Sequence, residues 1–160
     1  MPDIENLLQR LVEFKCEFVI VGGYAAVAHG ATLVTQDLDL CSPFTPVNLR
    51  RIGAALEGLN PKHRMTPQRL PLLLTDELCR SLKNLYLETD WGMVDFISEV
   101  LGLGGYSQVL EQSLALELGF GTCRVLSIEA LIQAKLAMDR PHDRFTVIQL
   151  KAIRERLGPV

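Results

Sequence analysis

Asp37 and Asp39 stand one residue apart in Thr35-Gln36-Asp37-Leu38-Asp39-Leu40-Cys41, a spacing with a chemical use. In an extended strand successive side chains alternate between faces, so positions two apart point the same way, about 6 to 7 Å from each other. Both carboxylates then share one face, while Leu38, Leu40 and Val34 take the other and anchor the strand in a core. Like charges this close raise each other's proton affinity, and a divalent cation relieves that cost. The same spacing also describes an ordinary solvated strand face, so the preceding residues decide between the two.

Those residues form a phosphate cradle. Cys16 to Val21 is a short apolar run, followed by Gly22-Gly23 and then by the Ala-rich Tyr24-Ala25-Ala26-Val27-Ala28-His29, which reads as a helix that Gly30 ends. A strand that breaks at two glycines into a helix N-terminus lets the backbone approach an anion and offers it free amides. The dinucleotide fingerprint Gly-x-Gly-x-x-Gly is absent from 22–27, and no Gly-Lys-Ser/Thr of a Walker loop occurs in the chain.

On these residues the chain resembles the nucleotidyltransferase superfamily typified by DNA polymerase beta. The signature is a strand, Gly-Gly or Gly-Ser, a helix, and a strand with Asp-x-Asp, matched by Gly22, Gly23, Asp37 and Asp39. The resemblance implies a third carboxylate on a later strand, and Asp95 in Gly92-Met93-Val94-Asp95-Phe96-Ile97 supplies it. The segments 125–135 and 140–143 resemble the C-terminal helices of small bacterial members linked to toxin–antitoxin systems. Those relatives carry Lys-Asp and a further Asp three residues later, where this chain has His142-Asp143 and then Thr146. The departure sets the C-terminal segment apart from the catalytic core, in which all three acids are assigned.

The implied activity is metal-dependent transfer of a nucleoside monophosphate from a nucleoside triphosphate to a hydroxyl. Asp37, Asp39 and Asp95 would hold two Mg2+ ions, or Mn2+ in their place, with Asp95 also orienting or accepting the hydroxyl proton. Gly22, Gly23 and the amide of Tyr24 would hold the β and γ phosphates. The acceptor is open among RNA, protein and small molecules. The rival reading is a non-catalytic nucleotide-binding or regulatory protein, such as one component of a toxin–antitoxin pair.

Composition sets the frame. The 160 residues, 48% of them hydrophobic, are enough for one domain with a full core. The expected class is α+β: a mixed β-sheet flanked by helices, with a nucleotidyltransferase-like core over about 1–100 and a hairpin and helices over about 101–160. Phe18 to Val34 is too short and too interrupted for a membrane span, and no targeting signal is present. Cys16, Cys41, Cys79 and Cys123 fit no zinc or redox spacing and read as reduced core residues of a cytoplasmic protein. Oligomeric state stays open.

Charge is uneven. Arg50, Arg51, Lys62, Arg64 and Arg69 face only Glu57 within 50–69, and six basic side chains meet three acidic ones within 135–156. Basic segments near an acidic metal site suit a polyanionic substrate. The 61–69 stretch, with Pro61 and Pro67, otherwise reads as a solvated loop.

Periodicity gives the remaining elements. Ile4, Leu7, Leu8, Leu11 and Val12 make an amphipathic helix over 3–14, and Pro46 opens a second with Leu49, Ile52, Leu56 and Leu59 on its stripe. Two hairpins are expected: 84–89 with 92–97, and 114–118 with 122–126, with a short helix over 106–113 between them. Ser127 caps a helix with the stripe Ile128, Leu131, Ile132, Lys135, Leu136, and a last helix starts near Asp143 after the break at Pro141. Lys135 on an apolar register either pairs with Asp139 one turn on or reaches the nucleotide's phosphates. His29 reads as a packed histidine and Trp91 as the cover of a core edge.

Overall fold

The computed structural model describes residues 2–158. In chain order its elements are α1 (Ile4–Glu13), β1 (Val19–Val21), α2 (Gly22–Ala28), β2 (Asp37–Cys41), α3 (Pro46–Leu56), β3 (Lys62–His63), α4 (Asp76–Ser81), β4 (Asn84–Thr89) and β5 (Gly92–Ile97). They continue as β6 (Glu99–Val100), β7 (Gly104–Gly105), α5 (Tyr106–Glu111), β8 (Ser113–Leu118), β9 (Gly121–Leu126), α6 (Ile128–Met138) and α7 (Pro141–Leu157). Seven strands make one sheet in the order β3-β4-β5-β2-β1-β9-β8, while β6 and β7 pair separately.

The sheet is mixed, as expected. Hairpins join β4 to β5 and β8 to β9, β1 runs antiparallel to β2, and the parallel pairs are β1 with β9 and β2 with β5. This topology seats β2 centrally, with β5 on one side and β1, which leads into α2, on the other. Leu38, Leu40 and Phe96 on β2 and β5 are fully buried, so the strands that carry the acids are themselves clamped in the core.

Local chemistry accounts for the helix boundaries. Asp3, Thr45, Thr75 and Ser127 each accept a hydrogen bond from the amide three residues on, which satisfies a first-turn donor of α1, α3, α4 and α6. Helix α7 begins at Pro141 rather than near Asp143, because proline at the first helical position gives up an amide that has no partner there anyway. The apolar stripe of α1 buries Leu7, Leu8 and Leu11. Among the described residues no helix is long and apolar enough to cross a membrane, and all four cysteines are free, three of them buried.

Three expectations change. Val34 does not anchor β2: residues 31–36 are irregular, the strand starts at Asp37, and Val34 is 93% exposed. The stretch 61–69 is not wholly loop, since β3 adds to the sheet edge by pairing Lys62 with Glu88 and His63 with Leu87. Leu136 points outward, and α6 buries Ala130 and Ala134 beside Leu131 and Ile132.

Candidate active site

One row of residues crosses four strands. Val21 of β1 pairs with Asp39 of β2, Asp39 with Asp95 of β5, and Asp95 with Tyr86 of β4. Residues side by side in a sheet point to the same face, so register alone sets Asp95 beside Asp39. Asp37 lies two positions before Asp39 on that same face. Asp95 is only 7% exposed, an acid that burial makes expensive to ionise.

The first glycine is pressed against this row. Gly22 has φ +68, and a Cβ built there would lie 2.4 Å from Asp39 Oδ2. Only glycine meets both demands. Gly23 has a different neighbour: its Cβ would come within 2.7 Å of Thr35 Oγ1, so this glycine makes room for the segment that leads into β2. No side chain caps α2, and its first amides open beside Asp39. Tyr24 packs half-buried against the core, and burial, with Asp37 nearby, raises its hydroxyl pKa.

Arg64, one residue past β3, completes the group. Its amide donates to the Tyr86 carbonyl at 3.0 Å, its guanidinium carbon lies 5.8 Å from the Tyr86 ring centre, and its side chain is 15% exposed. Nη2 donates to Asp95 Oδ2 at 2.6 Å and lies 3.5 Å from Asp37 Oδ2. Arg64 Nη1 and Asp95 Oδ1 are both buried without a hydrogen-bond partner.

The group is still short of positive charge. Burial and the neighbouring Asp37 push the Asp39 carboxyl up to about 6, against the pull of Lys135, Arg64 and Arg140. Burial, then Asp39 and Asp37, push Asp95 up to about 7 in spite of Arg64. The hard oxygen donors of Asp37 and Asp39, on one face and with the Asp39 carboxyl pushed up by burial and by Asp37, fit a divalent cation such as Mg2+. Among the described residues no three His, Cys, Asp or Glu side chains are grouped to hold a metal ion by themselves, and the Arg64 guanidinium pairs with two of the three acids, Asp95 and Asp37.

A cleft of about 430 Å3 opens on Gly22, Asp39 and Asp95. Lys135 of α6 and Arg140 of the α6–α7 link form its basic wall; Tyr86, Glu99, Leu101 and Met138 also line it. A groove of about 600 Å3 beside Gly53 and Leu74 is lined by none of these carboxylates.

Asp143 holds the basic wall in place. It is 1% exposed and accepts from Lys135 Nζ at 3.2 Å and from Arg140 Nε and Nη2 at 2.5 and 3.1 Å. Burial works against its ionisation, but the hydrogen bonds from Arg140 and Lys135 outweigh it and hold the carboxyl below its ordinary range. Of the two readings of Lys135, the pair with Asp139 does not form. Asp139 caps α6 in the left-handed region at φ 48, which turns it off the helical face, and it pairs with Arg144 instead.

Of the residues singled out from the sequence, Gly22, Asp39, Asp95 and Lys135 come together on the cleft, and Asp37 adjoins them through Arg64. Gly23 and Tyr24 do not line it. His29 is packed, with Nε2 donating to the Leu126 carbonyl at 2.7 Å, and Trp91 covers the core edge. Arg64, Arg140 and Asp143 were missed as site residues. The basic excess in 50–69 and 135–156 was the trace of the two arginines, and the likeness of 140–143 to the C-terminal helices of small relatives was the trace of Asp143.

No family model and no curated protein matches the sequence. The architecture does have solved counterparts. The lincosamide antibiotic adenylyltransferase LnuA, bound to lincomycin, superposes with a TM-score of 0.60 at 16% identity, over 96% of this chain and 99% of its own. The fold is that of the nucleotidyltransferases. ANT(2")-Ia, in complex with adenylyl-2"-tobramycin, shares this nucleotidyltransferase fold at a TM-score of 0.58 and 18% identity, over 97% of this chain and 87% of its own. JHP933 from Helicobacter pylori follows at 0.53 and 16%, over 93% and 63%. With 96% of the chain covered by LnuA, the C-terminal helices carrying Lys135 and Asp143 fall within the shared architecture.

Proposed function

We propose that the chain is a metal-assisted nucleotidyltransferase that moves a nucleoside monophosphate from a triphosphate to a hydroxyl acceptor. The observation that carries this reading is the row Asp39–Asp95, with Asp37 on the same face, set against Gly22 and faced by Lys135 and Arg140. A divalent ion, held by Asp37 and Asp39, would supply charge neutralisation at the triphosphate. The first amides of α2, which starts at a Gly22 that leaves room for Asp39, receive phosphate oxygens. Lys135 and Arg140, pinned by Asp143, offset the charge that builds on the pyrophosphate as it leaves.

Asp95 handles the proton. Arg64 fixes the carboxylate through Oδ2 and leaves Oδ1 without a partner. The acceptor hydroxyl passes its proton to the Asp95 carboxylate, which borders the cleft, while its oxygen bonds to the α-phosphorus and the α–β P–O bond breaks. Burial raises the proton affinity of this carboxyl, which suits a proton acceptor.

The cleft also bears on the acceptor. Away from the Lys135–Arg140 wall, which the triphosphate would occupy, the lining of Tyr86, Glu99 and Leu101 is apolar or acidic, which suits a neutral or cationic small molecule better than a polyanionic RNA end. The two adenylyltransferase neighbours, one of them a lincosamide enzyme and the other bound to an adenylylated tobramycin, agree with that preference. Incubation with each α-labelled triphosphate, Mg2+, and separate pools of hydroxylated small molecules, RNA and protein tests it. Label should move to the small-molecule pool. Saturable triphosphate binding with no transfer to any pool would favour the regulatory reading instead.

A further inference from the structure

Arg64 is built in, not draped over the site. Its backbone is tied to β4 through the Tyr86 carbonyl, its guanidinium lies near the Tyr86 ring, and it reaches two of the three acids with one nitrogen. A guanidinium keeps its charge at any working pH, and here a single nitrogen, Nη2, ties Asp95 Oδ2.

A two-ion site makes a different demand. There the third acid turns its oxygens to metal, yet Asp95 gives Oδ2 to Arg64 at 2.6 Å, and the same Nη2 lies 3.5 Å from Asp37 Oδ2. A second ion at Asp95 would have to displace this 2.6 Å charge-assisted hydrogen bond, whereas Arg64 stands off Asp37 at 3.5 Å without a hydrogen bond. We propose that Arg64 takes the place of one cation of a two-ion site, so that this chain loads one divalent ion, at Asp37 and Asp39, and keeps Asp95 uncoordinated. The inference rests on the nucleotidyl-transfer reading and revises the count of two ions that the family resemblance implies.

The test counts ions without relying on turnover. Wild type, Arg64→Lys and Arg64→Met are titrated with Mn2+ in the presence of a non-hydrolysable triphosphate, and bound Mn2+ is measured by electron paramagnetic resonance and calorimetry. Wild type and Arg64→Lys should each saturate at about one ion per chain, and Arg64→Met at about two, because Asp95 is then released to coordinate. Two ions in the wild-type complex overturn the proposal and leave nucleotidyl transfer standing. One ion in a folded Arg64→Met, shown by its melting curve, also overturns it. Binding of neither Mn2+ nor triphosphate by wild type overturns the transfer reading as well. The wild-type count decides even where Arg64→Met does not fold.

Discussion

Gly22 carries two constraints at once, a left-handed backbone and a carboxylate oxygen where a Cβ would stand. Gly22→Ala should therefore cost about 1 to 3 kcal/mol of stability, and it should displace Asp39 and weaken triphosphate binding. Chemical denaturation and nucleotide titration of that variant check both effects, and a variant with wild-type stability and affinity would remove Gly22 from the site. Gly23→Val strikes Thr35 instead, so its main effect should fall on the path into β2 and on folding. The acids make a second prediction at this scale. Asp39 and Asp95 have folded-state pKa values above the ordinary carboxylate range, at about 6 and about 7. Such groups bind protons more tightly in the folded chain, so the stability they contribute is present at low pH and is lost as pH rises through those values. Metal-free protein should melt at lower temperature as pH goes from 5 to 8, and Asp39→Asn should flatten that slope. Asp143, whose pKa is lowered, loses its contribution only as pH falls below the ordinary carboxylate range, outside this window. A melting temperature that climbs from pH 5 to 8 would contradict the assignment.

At the scale of elements, the α6–α7 corner is a cationic wall mounted on one buried carboxylate. Asp143→Ala leaves Lys135 and Arg140 without their shared partner and should cost about 3 to 5 kcal/mol, the range for breaking a buried ion pair. Lys135→Met, by contrast, leaves Asp143 paired with Arg140 and should keep most of the fold while weakening triphosphate binding by about 1 to 3 kcal/mol. Urea melts and nucleotide titration of the two variants separate the structural role from the binding role. A Lys135→Met protein with wild-type nucleotide affinity would show that Lys135 serves Asp143 alone.

Across the whole molecule, the active face couples ligand binding to global stability. β2 and β5 are core strands, so whatever neutralises their acids stabilises the fold, by about 2.7 kcal/mol at a ligand concentration 100 times Kd. Asp39→Asn removes one of the repelling charges and should leave the metal-free melting temperature level or raise it. The same change should sharply shrink the stabilisation that Mn2+ and triphosphate give wild type. A parallel loss in both conditions would mark Asp39 as a structural acid.

What local sequence determined here are the features that depend on near neighbours in the chain. The alternation at 37–40, the break at Gly22-Gly23, the cap at Ser127, the helix start at Pro46 and both hairpins follow from side-chain direction, backbone freedom and amide accounting over a few residues. Asp95 was reached through the family pattern, but only the parallel register of β2 with β5 sets it beside Asp39. Arg64 could not be read at all from its own surroundings, because a basic residue between two prolines looks like solvated loop. It becomes a site residue only when β3 joins the sheet edge and β4 carries it across to Asp95, 31 positions away. Lys135 likewise found Asp143 rather than Asp139 because the left-handed turn at Asp139 folds α7 back onto α6. Local periodicity sets which face a side chain takes; which charge it meets across that face is decided by strand order and helix packing, where contacts join residues remote in the chain.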